Sequence, residues 1–210
     1  MTDKSTEIHG VARLTVEQIP QVAAVLARAF QDDPLQHYLF PTAAERTRLL
    51  PALFRVVLHH GLRAGEVWTT AGAAAGAAVW EPLGWTEITH DQVEQEDPNE
   101  LPSAIGTAAF ERLTTFFAYL GALHGRDVPT RHWYLSTLGV DPAQQGLGLG
   151  GSLLQPILSR ADTEGIPCYL ETAQPKAVSF YRKHGFEVIV EDIEPKSGVR
   201  LWTFRRQVRA

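Results

Sequence analysis

Four glycines lie close together in the stretch GVDPAQQGLGLGGSLL, which runs from Gly139 to Leu154. They are Gly146, Gly148, Gly150 and Gly151, and a leucine-rich segment follows them. Glycine clusters at a strand-to-helix junction let backbone amides approach an anion, because no side chain blocks the way. The stretch therefore predicts a phosphate-binding turn at the start of a helix.

Two familiar phosphate sites fit this turn poorly. A nucleoside triphosphate loop needs lysine and then serine or threonine after its last glycine, whereas Gly151 is followed directly by Ser152. The dinucleotide pattern G-x-G-x-x-G is met, and Glu171 lies 20 positions after Gly151, where that fold keeps a ribose-binding acid. However, five residues separate the predicted strand from Gly146, and the remaining chain is too short for a doubly wound sheet. A dinucleotide site stays the weaker alternative.

Composition narrows the class of partner. The chain has 210 residues, 44% of them hydrophobic and 20% charged, which suits one globular domain. Its formal net charge is -5, and the Lys and Arg residues are scattered, which argues against nucleic acid and favours a cationic small substrate. The sequence leaves the oligomeric state open, a homodimer included.

Cysteine content and the N-terminal stretch predict a cytoplasmic protein. Cys168 is the single cysteine and lies in the apolar run IPCYLE, so we expect a buried hydrophobic residue in a reducing compartment. The start MTDKSTEIHG lacks the apolar centre of a signal peptide, and no apolar run is long enough to span a bilayer. We expect no membrane association.

Hydrophobic spacing predicts the elements that position the glycine turn. Helices are expected over about 15–30, 43–63 and 104–123, and the strands EVWTT and AAAVWEP should form an antiparallel pair with a turn near Gly72. The polar stretch LGWTEITHDQVEQEDPNELP predicts a loop or lid. The last third predicts strand HWYLSTLGV, a helix to about Glu164, strand PCYLETA, helix KAVSFYRKHG, and a hairpin of FEVIVEDIE with VRLWTFRR. This order predicts an α/β fold.

The residues around the glycines carry a family resemblance. Gln145-x-x-Gly148-x-Gly150, preceded by LGVDP, resembles the acetyl-coenzyme A signature Q/R-x-x-G-x-G/A of the GCN5-related N-acetyltransferases (GNAT). SFYRKHGFEV, with Tyr181 and then Gly185, resembles that family's later helix and strand. RAFQDDPLQHYLFP, AAAVWEP and LETAQP look most like the puromycin N-acetyltransferase-related branch.

The resemblance covers nearly the whole chain and implies one GNAT domain over 1–210. It implies a mixed, mostly antiparallel central sheet flanked by helices, with two splayed parallel strands that bind acyl-coenzyme A. Acceptor-side helices would span about 15–64 and 104–123, the coenzyme-binding core about 132–206, and a disordered start about 1–9.

The resemblance also implies acetyl-coenzyme A as co-substrate, with no metal. The amides of Leu138, Gly139 and Val140 would bind the pantetheine arm and the acetyl carbonyl, with the Leu138 N–H as oxyanion donor. An ordinary central strand is the alternative. The pyrophosphate would be held by Gln145, Gly146, Leu147, Gly148, Leu149, Gly150 and Gly151. Gln174 stands where many members carry a cofactor-contacting asparagine, which weakens the expected contacts from that helix.

The resemblance implies an acid and a base. Tyr181 would protonate the departing thiolate, because a phenol is protonated at neutral pH and only slightly less acidic than a thiol. An aromatic that packs a helix against the sheet is the alternative for Tyr181. The base that deprotonates the amine would be Glu171 or, less favoured, Glu81; each ends a predicted strand. A solvated acid at a strand end is the alternative for either residue.

The resemblance implies an acceptor pocket between the first helices. Its predicted residues are Asp32, Asp33, His37, Tyr38, Trp80 and Glu81, with Trp85 as a further wall. The alternatives are that Asp32 or Asp33 only caps a helix and that Trp80 and Trp85 only fill the core. Adjacent His59 and His60 would lie about 100° apart on a helix, which gives a metal site little support. The predicted activity is direct acetyl transfer to the amine of a small molecule. Two alternatives stay open: a non-catalytic acyl-coenzyme A sensor or interaction module, and an acetyltransferase acting on protein lysines or N-termini.

Overall fold

A computed structural model of the chain describes residues 10–82, 100–128 and 131–208. Its helices are α1 (Ile19–Ala29), α2 (Pro34–Leu39), α3 (Ala43–Ala64), α4 (Glu100–Ile105), α5 (Thr107–Asp127), α6 (Leu149–Glu164) and α7 (Pro175–Lys183). Its strands are β1 (Val11–Arg13), β2 (Glu66–Thr70), β3 (Gly76–Glu81), β4 (Trp133–Val140), β5 (Cys168–Thr172), β6 (Glu187–Ile193) and β7 (Arg200–Arg206). Short 3-10 turns cover Val16–Gln18 and Pro142–Gln144.

The strands form one seven-stranded sheet in the order β1-β2-β3-β4-β5-β7-β6. Only β4 and β5 pair in parallel; every other neighbouring pair is antiparallel. This confirms the predicted α/β class with a mixed, mostly antiparallel sheet flanked by helices. The C-terminal hairpin folds back so that β7 lies between β5 and β6.

Alternation along the strands divides the core between the two faces of the sheet. Val79 of β3 packs in a cluster that includes Leu26 of α1 and Phe54 of α3. The next residue, Trp80, points to the other face and packs in the cluster of α6, which includes Leu153. The first face therefore carries the helices between which an acceptor pocket was predicted, and the second face carries α6.

Local signals explain several boundaries. Thr42 begins α3 as a capping box with Glu45, with Thr42 Oγ1 accepting from the Glu45 amide at 3.2 Å. Gly106, at φ +83°, separates α4 from α5, so the single helix predicted over 104–123 is in fact two. The three-residue strand β1 was not predicted.

Some predictions fall outside the described residues. These are the disordered start over 1–9, most of the polar stretch 83–102, and Trp85. Within the described ranges, no helix is both long and apolar enough to cross a membrane. In the same residues, no group of three or more His, Cys, Asp and Glu side chains is placed to hold a metal ion.

Candidate active site

The two parallel strands separate after a short stretch of pairing. β4 and β5 pair from Trp133 with Cys168 to Leu135 with Leu170, and no further. β4 continues along β3 to Val140, but Val79 pairs with Thr137 and Trp80 with Leu135, so Ser136 is an extra, bulged residue. The bulge bends β4 away from β5, and a gap opens between the strands.

Backbone amides of β4 point into this gap. The Asp141 N–H donates to the Ala75 carbonyl at 2.8 Å, on the β3 side. Because N–H directions alternate along a strand, the amides of Leu138 and Val140 point to the opposite side, where β5 no longer pairs. Both residues line the cavity described below. The gap thus offers two open donors.

Gly139 has a different position from the one predicted. It pairs with Ala77, so its amide faces β3 rather than the gap. A Cβ at Gly139 would meet Leu26 Cδ2 at 2.7 Å and the Phe30 ring at 2.9 Å. The glycine therefore allows α1 to pack closely on β4, and its expected amide contact is corrected.

The turn after β4 is held by side chains on its outer side. The Asp141 carboxylate accepts from the Ala143 amide at 3.0 Å and pairs with the Arg28 guanidinium. The Gln145 side-chain amide donates to the Val140 carbonyl at 3.1 Å. These contacts connect the turn to α1 and to the end of β4, and they fix the direction in which α6 begins.

The first turn of α6 presents backbone amides that have no acceptor within the helix. Gly148 is its N-cap, at φ +82° and ψ −3°, and makes no side-chain cap. The first backbone amide of α6 that donates within the helix is that of Ser152, which donates to the Gly148 carbonyl at 3.1 Å. The amides of Leu149, Gly150 and Gly151 therefore remain available, at the positive end of the helix dipole. Leu147 is 68% exposed and its side chain lies outside the cavity lining.

Gly150 and Gly151 also allow α6 and α7 to approach each other. A Cβ on Gly150 would meet the Phe180 ring at 3.1 Å, and one on Gly151 would meet His184 Cε1 at 2.9 Å. Packing at this crossing brings Tyr181 of α7 to the cavity. The glycine cluster thus serves both open amides and helix packing.

Tyr181 is 7% exposed and lies among the rings of Phe180, Phe186 and Phe204. Burial, together with the charge of Asp33, raises the pKa of its phenol, so the hydroxyl keeps its proton at neutral pH. Asp33 caps α2 by accepting from the Leu35 amide at 2.9 Å, and burial raises its own pKa to about 6.

Two carboxyl groups lie on the helix-α5 face of the sheet. Glu81 pairs with Tyr134, and Tyr134 with Tyr169, so these three side chains form a row across β3, β4 and β5. Glu171 lies two residues beyond Tyr169 on the same face. The strand register, rather than proximity in sequence, brings the two acids together.

Both acids are buried and hold protons more tightly than usual. Burial raises the pKa of Glu171 to about 8; the phenols of Tyr134 and Tyr169 oppose that rise, and the charge of Glu81 adds to it. Burial likewise raises the pKa of Glu81, against a hydrogen bond from Ser136 and the charge of His60. Strongly shifted carboxyl groups in a cleft are typical of functional sites.

A single cavity of about 1340 Å³ connects these parts. One end is lined by the glycine turn, the free edge of β4, Gln174 and Tyr181, and the other by Glu81 and Glu171. Much of the wall between α1, α3 and α5 is apolar. It includes Phe30, Leu53, Phe54, Val57, Phe110, Leu113, Phe116, Phe117 and Leu120.

The remaining predicted acceptor residues divide into two groups. Asp32 and Asp33 line the cavity, whereas His37, Tyr38 and Trp80 do not. Trp80 is fully buried on the α6 face, Tyr38 packs against Phe116, and the His37 side chain is 49% exposed. These three predictions are corrected, because strand alternation and helix packing turn the side chains away from the cavity.

Sequence reasoning missed the polar side chains that surround the two acids. Ser136, Tyr134, His60 and His124 line the cavity. The polar residues within HWYLSTLGV could have indicated Tyr134 and Ser136, since alternate positions of that strand are apolar. Nothing in the sequence placed His124 beside β5.

Comparison with known proteins agrees with this arrangement. The model of the acetyltransferase (GNAT) family matches residues 77–186, which run from β3 through the glycine turn and Tyr181 to Phe186. The chain belongs to the GNAT family. The match contains the splayed strands, the first turn of α6 and both buried acids.

Individual relatives support the same GNAT assignment. An uncharacterised N-acetyltransferase of Schizosaccharomyces pombe is 27% identical over 182 residues, which cover 83% of this chain and 72% of that protein. A Corynebacterium glutamicum structure described as histone acetyltransferase HPA2 and related acetyltransferase has a TM-score of 0.70 at 23% identity, covering 95% and 96% of the two chains. Arylalkylamine N-acetyltransferase 2 of Aedes aegypti has a TM-score of 0.64 at 14% identity, covering 95% and 98%. The two structures share the GNAT fold.

Proposed function

We propose that this GNAT protein transfers the acetyl group of acetyl-coenzyme A directly to a primary amine of a small molecule. The observation that carries the proposal is the single cavity that joins open backbone amides at one end to two buried carboxyl groups at the other. Amides suit a pyrophosphate and a thioester carbonyl, and carboxylates suit an ammonium.

The coenzyme end fits acetyl-coenzyme A by the chemistry of its donors. The amides of Leu149, Gly150 and Gly151 would bind the pyrophosphate, and those of Leu138 and Val140 the pantetheine arm and the acetyl carbonyl. Leu138 would stabilise the oxyanion as the tetrahedral intermediate forms. Gln174 lines the same end and would contact the coenzyme.

The acceptor end would bind the amine and remove its proton. Glu171 would take the proton from the ammonium, and the freed nitrogen would then attack the thioester carbon. Tyr181 would give its proton to the departing sulfur, and the second proton that the nitrogen loses as the amide forms would restore the Tyr181 phenol. Glu81 would hold the positive charge before transfer.

Burial raises the pKa of the Cys168 thiol to about 12, which supports transfer without a thioester on the protein.

The walls of the acceptor end favour an amine with an apolar body. Aromatic and aliphatic side chains of α1, α3 and α5 line this part, while the carboxyl groups lie at its base on the sheet. An arylalkylamine could place its ring against Phe54 and Phe116 and its ammonium at Glu171. A polyamine would bring further charges against apolar walls.

Thiol release with a panel of amines tests the proposal. We expect release that depends on both acetyl-coenzyme A and an amine, with kcat/KM for phenylethylamine at least tenfold above that for spermidine, as the apolar wall requires. A lysine peptide should react poorly. Tight coenzyme binding without release to any amine would favour the sensor alternative, and preference for the peptide would favour the protein acetyltransferase.

The Tyr181→Phe variant tests the acid. The phenol leaves, but the ring and its packing stay, so we expect kcat to fall by about 10² while the Kd of acetyl-coenzyme A changes less than twofold. Stopped-flow thiol release and calorimetric titration measure the two quantities. An unchanged kcat at saturating substrates would return Tyr181 to a purely packing role.

The puromycin N-acetyltransferase-related branch, a cytoplasmic location and independence from metals also remain proposals. They rest on the quoted motifs and on the composition of the chain.

A further inference from the structure

Two buried histidines lie beside the candidate base. His124 is in the last turn of α5, and His132 directly precedes β4; they are 6% and 3% exposed. Their Nε2 atoms lie 2.6 Å apart. The Nδ1 atom of His124 lies 3.6 Å from Glu171 Oε1. The three side chains therefore form a row that leads from the cavity to the start of β4.

The short contact between the imidazoles couples their tautomers. At 2.6 Å, one Nε2 must carry the proton and the other must accept it. If His124 carries it, the Nδ1 of His124 is a bare acceptor that faces Glu171. If His132 carries it, His124 presents an Nδ1–H to Glu171 instead. The two arrangements differ by the passage of one proton along the row.

The surroundings keep His124 neutral, as such an exchange requires. Burial first, and then the neighbouring charge of His132, lower the pKa of His124 to about 4, against the charge of Asp127. The groups that face this ring from the packed elements are Asp127 on α5, Tyr134 on β4, and Tyr169 and Glu171 on β5. Arg126 and the Thr203 hydroxyl of β7 both donate to Asp127, at 2.8 Å and 2.6 Å.

We propose that His124 and His132 relay the proton that Glu171 takes from the amine, away from the cavity and toward the surface beside Arg131. This inference rests on the proposed function. When both substrates fill the cavity, they block the path from Glu171 to solvent through the cavity. The protonated Glu171 then needs a different path along which to lose its proton. Among the described residues, Glu171 Oε1 makes no hydrogen bond in the resting structure. Once protonated, it closes the 3.6 Å to His124 Nδ1 and gives its proton to that atom, while His124 Nε2 passes its own to His132 Nε2. His132 then releases the proton on Nδ1, so the row gains and loses one proton. Arg131, the next residue, is exposed.

The test compares two substitutions of His132 with a matched control. His132→Gln keeps a polar side chain but cannot pass a proton on, so we expect kcat to fall at least tenfold while both KM values change less than twofold. In His132→Ala, imidazole buffer should raise kcat in proportion to its concentration at constant pH and ionic strength. The control is Thr69→Val, which removes a buried hydrogen bond of the same sheet, to the Gly76 carbonyl, away from the two histidines, and should keep the wild-type kcat.

The outcomes separate the relay from the proposed function. Wild-type kcat in His132→Gln, or a low kcat in His132→Ala that imidazole does not raise, would overturn the relay while the transfer activity stands. A kcat loss in Thr69→Val equal to that in His132→Gln would assign the effect to the loss of a buried hydrogen bond in general and overturn the relay too. If wild-type protein transfers acetyl to no amine, the proposed function fails, and the relay fails with it.

Discussion

Replacing Gly148 by aspartate should weaken acetyl-coenzyme A binding by about 10² to 10³. Gly148 is the N-cap of α6, and nothing lies within 4 Å of a Cβ built on it. A carboxylate there would stand beside the open amides of Leu149, Gly150 and Gly151, where a pyrophosphate would bind. Repulsion between charges a few ångströms apart near a protein surface amounts to about 4 kcal/mol, which corresponds to the upper end of this range. Calorimetric titration measures the Kd.

The same helix offers a matched control. Gly165 is the C-cap of α6, also left-handed at φ +70° and also open around its Cβ, but it lies at the far end from the cavity. Gly165→Asp should lose similar stability through backbone strain and keep the wild-type Kd. Gly148→Asn separates charge from shape and should bind better than Gly148→Asp. Equal Kd values for Gly148→Asp and Gly165→Asp would contradict a pyrophosphate site at this turn.

The Glu171→Gln variant should lower kcat/KM by about 10² to 10⁴, the range that a positioned base contributes. The amide keeps the shape of the carboxyl group but cannot accept the proton, so coenzyme binding should stay unchanged. Because burial raises the pKa of Glu171 to about 8, the wild-type kcat/KM should rise with pH through that region. This rise should be absent from the residual activity of the variant. Glu187→Gln, exposed on β6, is the matched control and should behave like wild type.

The same substitution should stabilise the fold above about pH 5. Folding raises the pKa of Glu171 from 4.5 to about 8, so the folded chain binds this proton more tightly than the unfolded chain. The group's favourable contribution to the free energy of unfolding is therefore complete below its unfolded pKa and is lost as pH rises toward 8. Glutamine carries no such loss, and the advantage of the variant should grow to at most about 5 kcal/mol.

Thermal unfolding of the two proteins between pH 4 and pH 9 would measure this difference. A pH-independent difference in melting temperature would contradict the buried, protonated state of Glu171.

Glu81→Gln should raise the KM for the amine, with a smaller loss of kcat than Glu171→Gln. If Glu81→Gln shows the larger loss of kcat, the roles of the two acids are reversed.

The segment from β4 to α7 is the part of the fold that the sequence predicted best. The strand before the glycine turn, α6, β5 and α7 were all expected, because apolar spacing, glycines and the position of Tyr181 point to the same arrangement. Glu171 was named as an acid at a strand end, and the structure buries it in the cavity. The site roles of these residues remain predictions until they are measured.

What sequence reasoning missed depends on contacts between distant elements. Strand alternation turns Trp80 to the α6 face, although its neighbour Glu81 faces the cavity. Gly139 resembles a ligand-binding glycine but is required by the packing of Leu26 and Phe30. The approach of His124 to His132 depends on where α5 ends relative to β4, which no local pattern encodes. The short strand β1 is stabilised by its pairing with β2 rather than by any periodicity of its own.

The most direct test of the account follows the acetyl group itself. Protein would be incubated with acetyl-coenzyme A labelled with ¹³C in the acetyl group and with phenylethylamine, and both the amine and the intact protein would be analysed by mass spectrometry. The account predicts label on the amine nitrogen, free coenzyme A in equal amount, and none on the protein. An unlabelled amine with intact acetyl-coenzyme A, or label retained on the protein, would contradict direct transfer within this cavity.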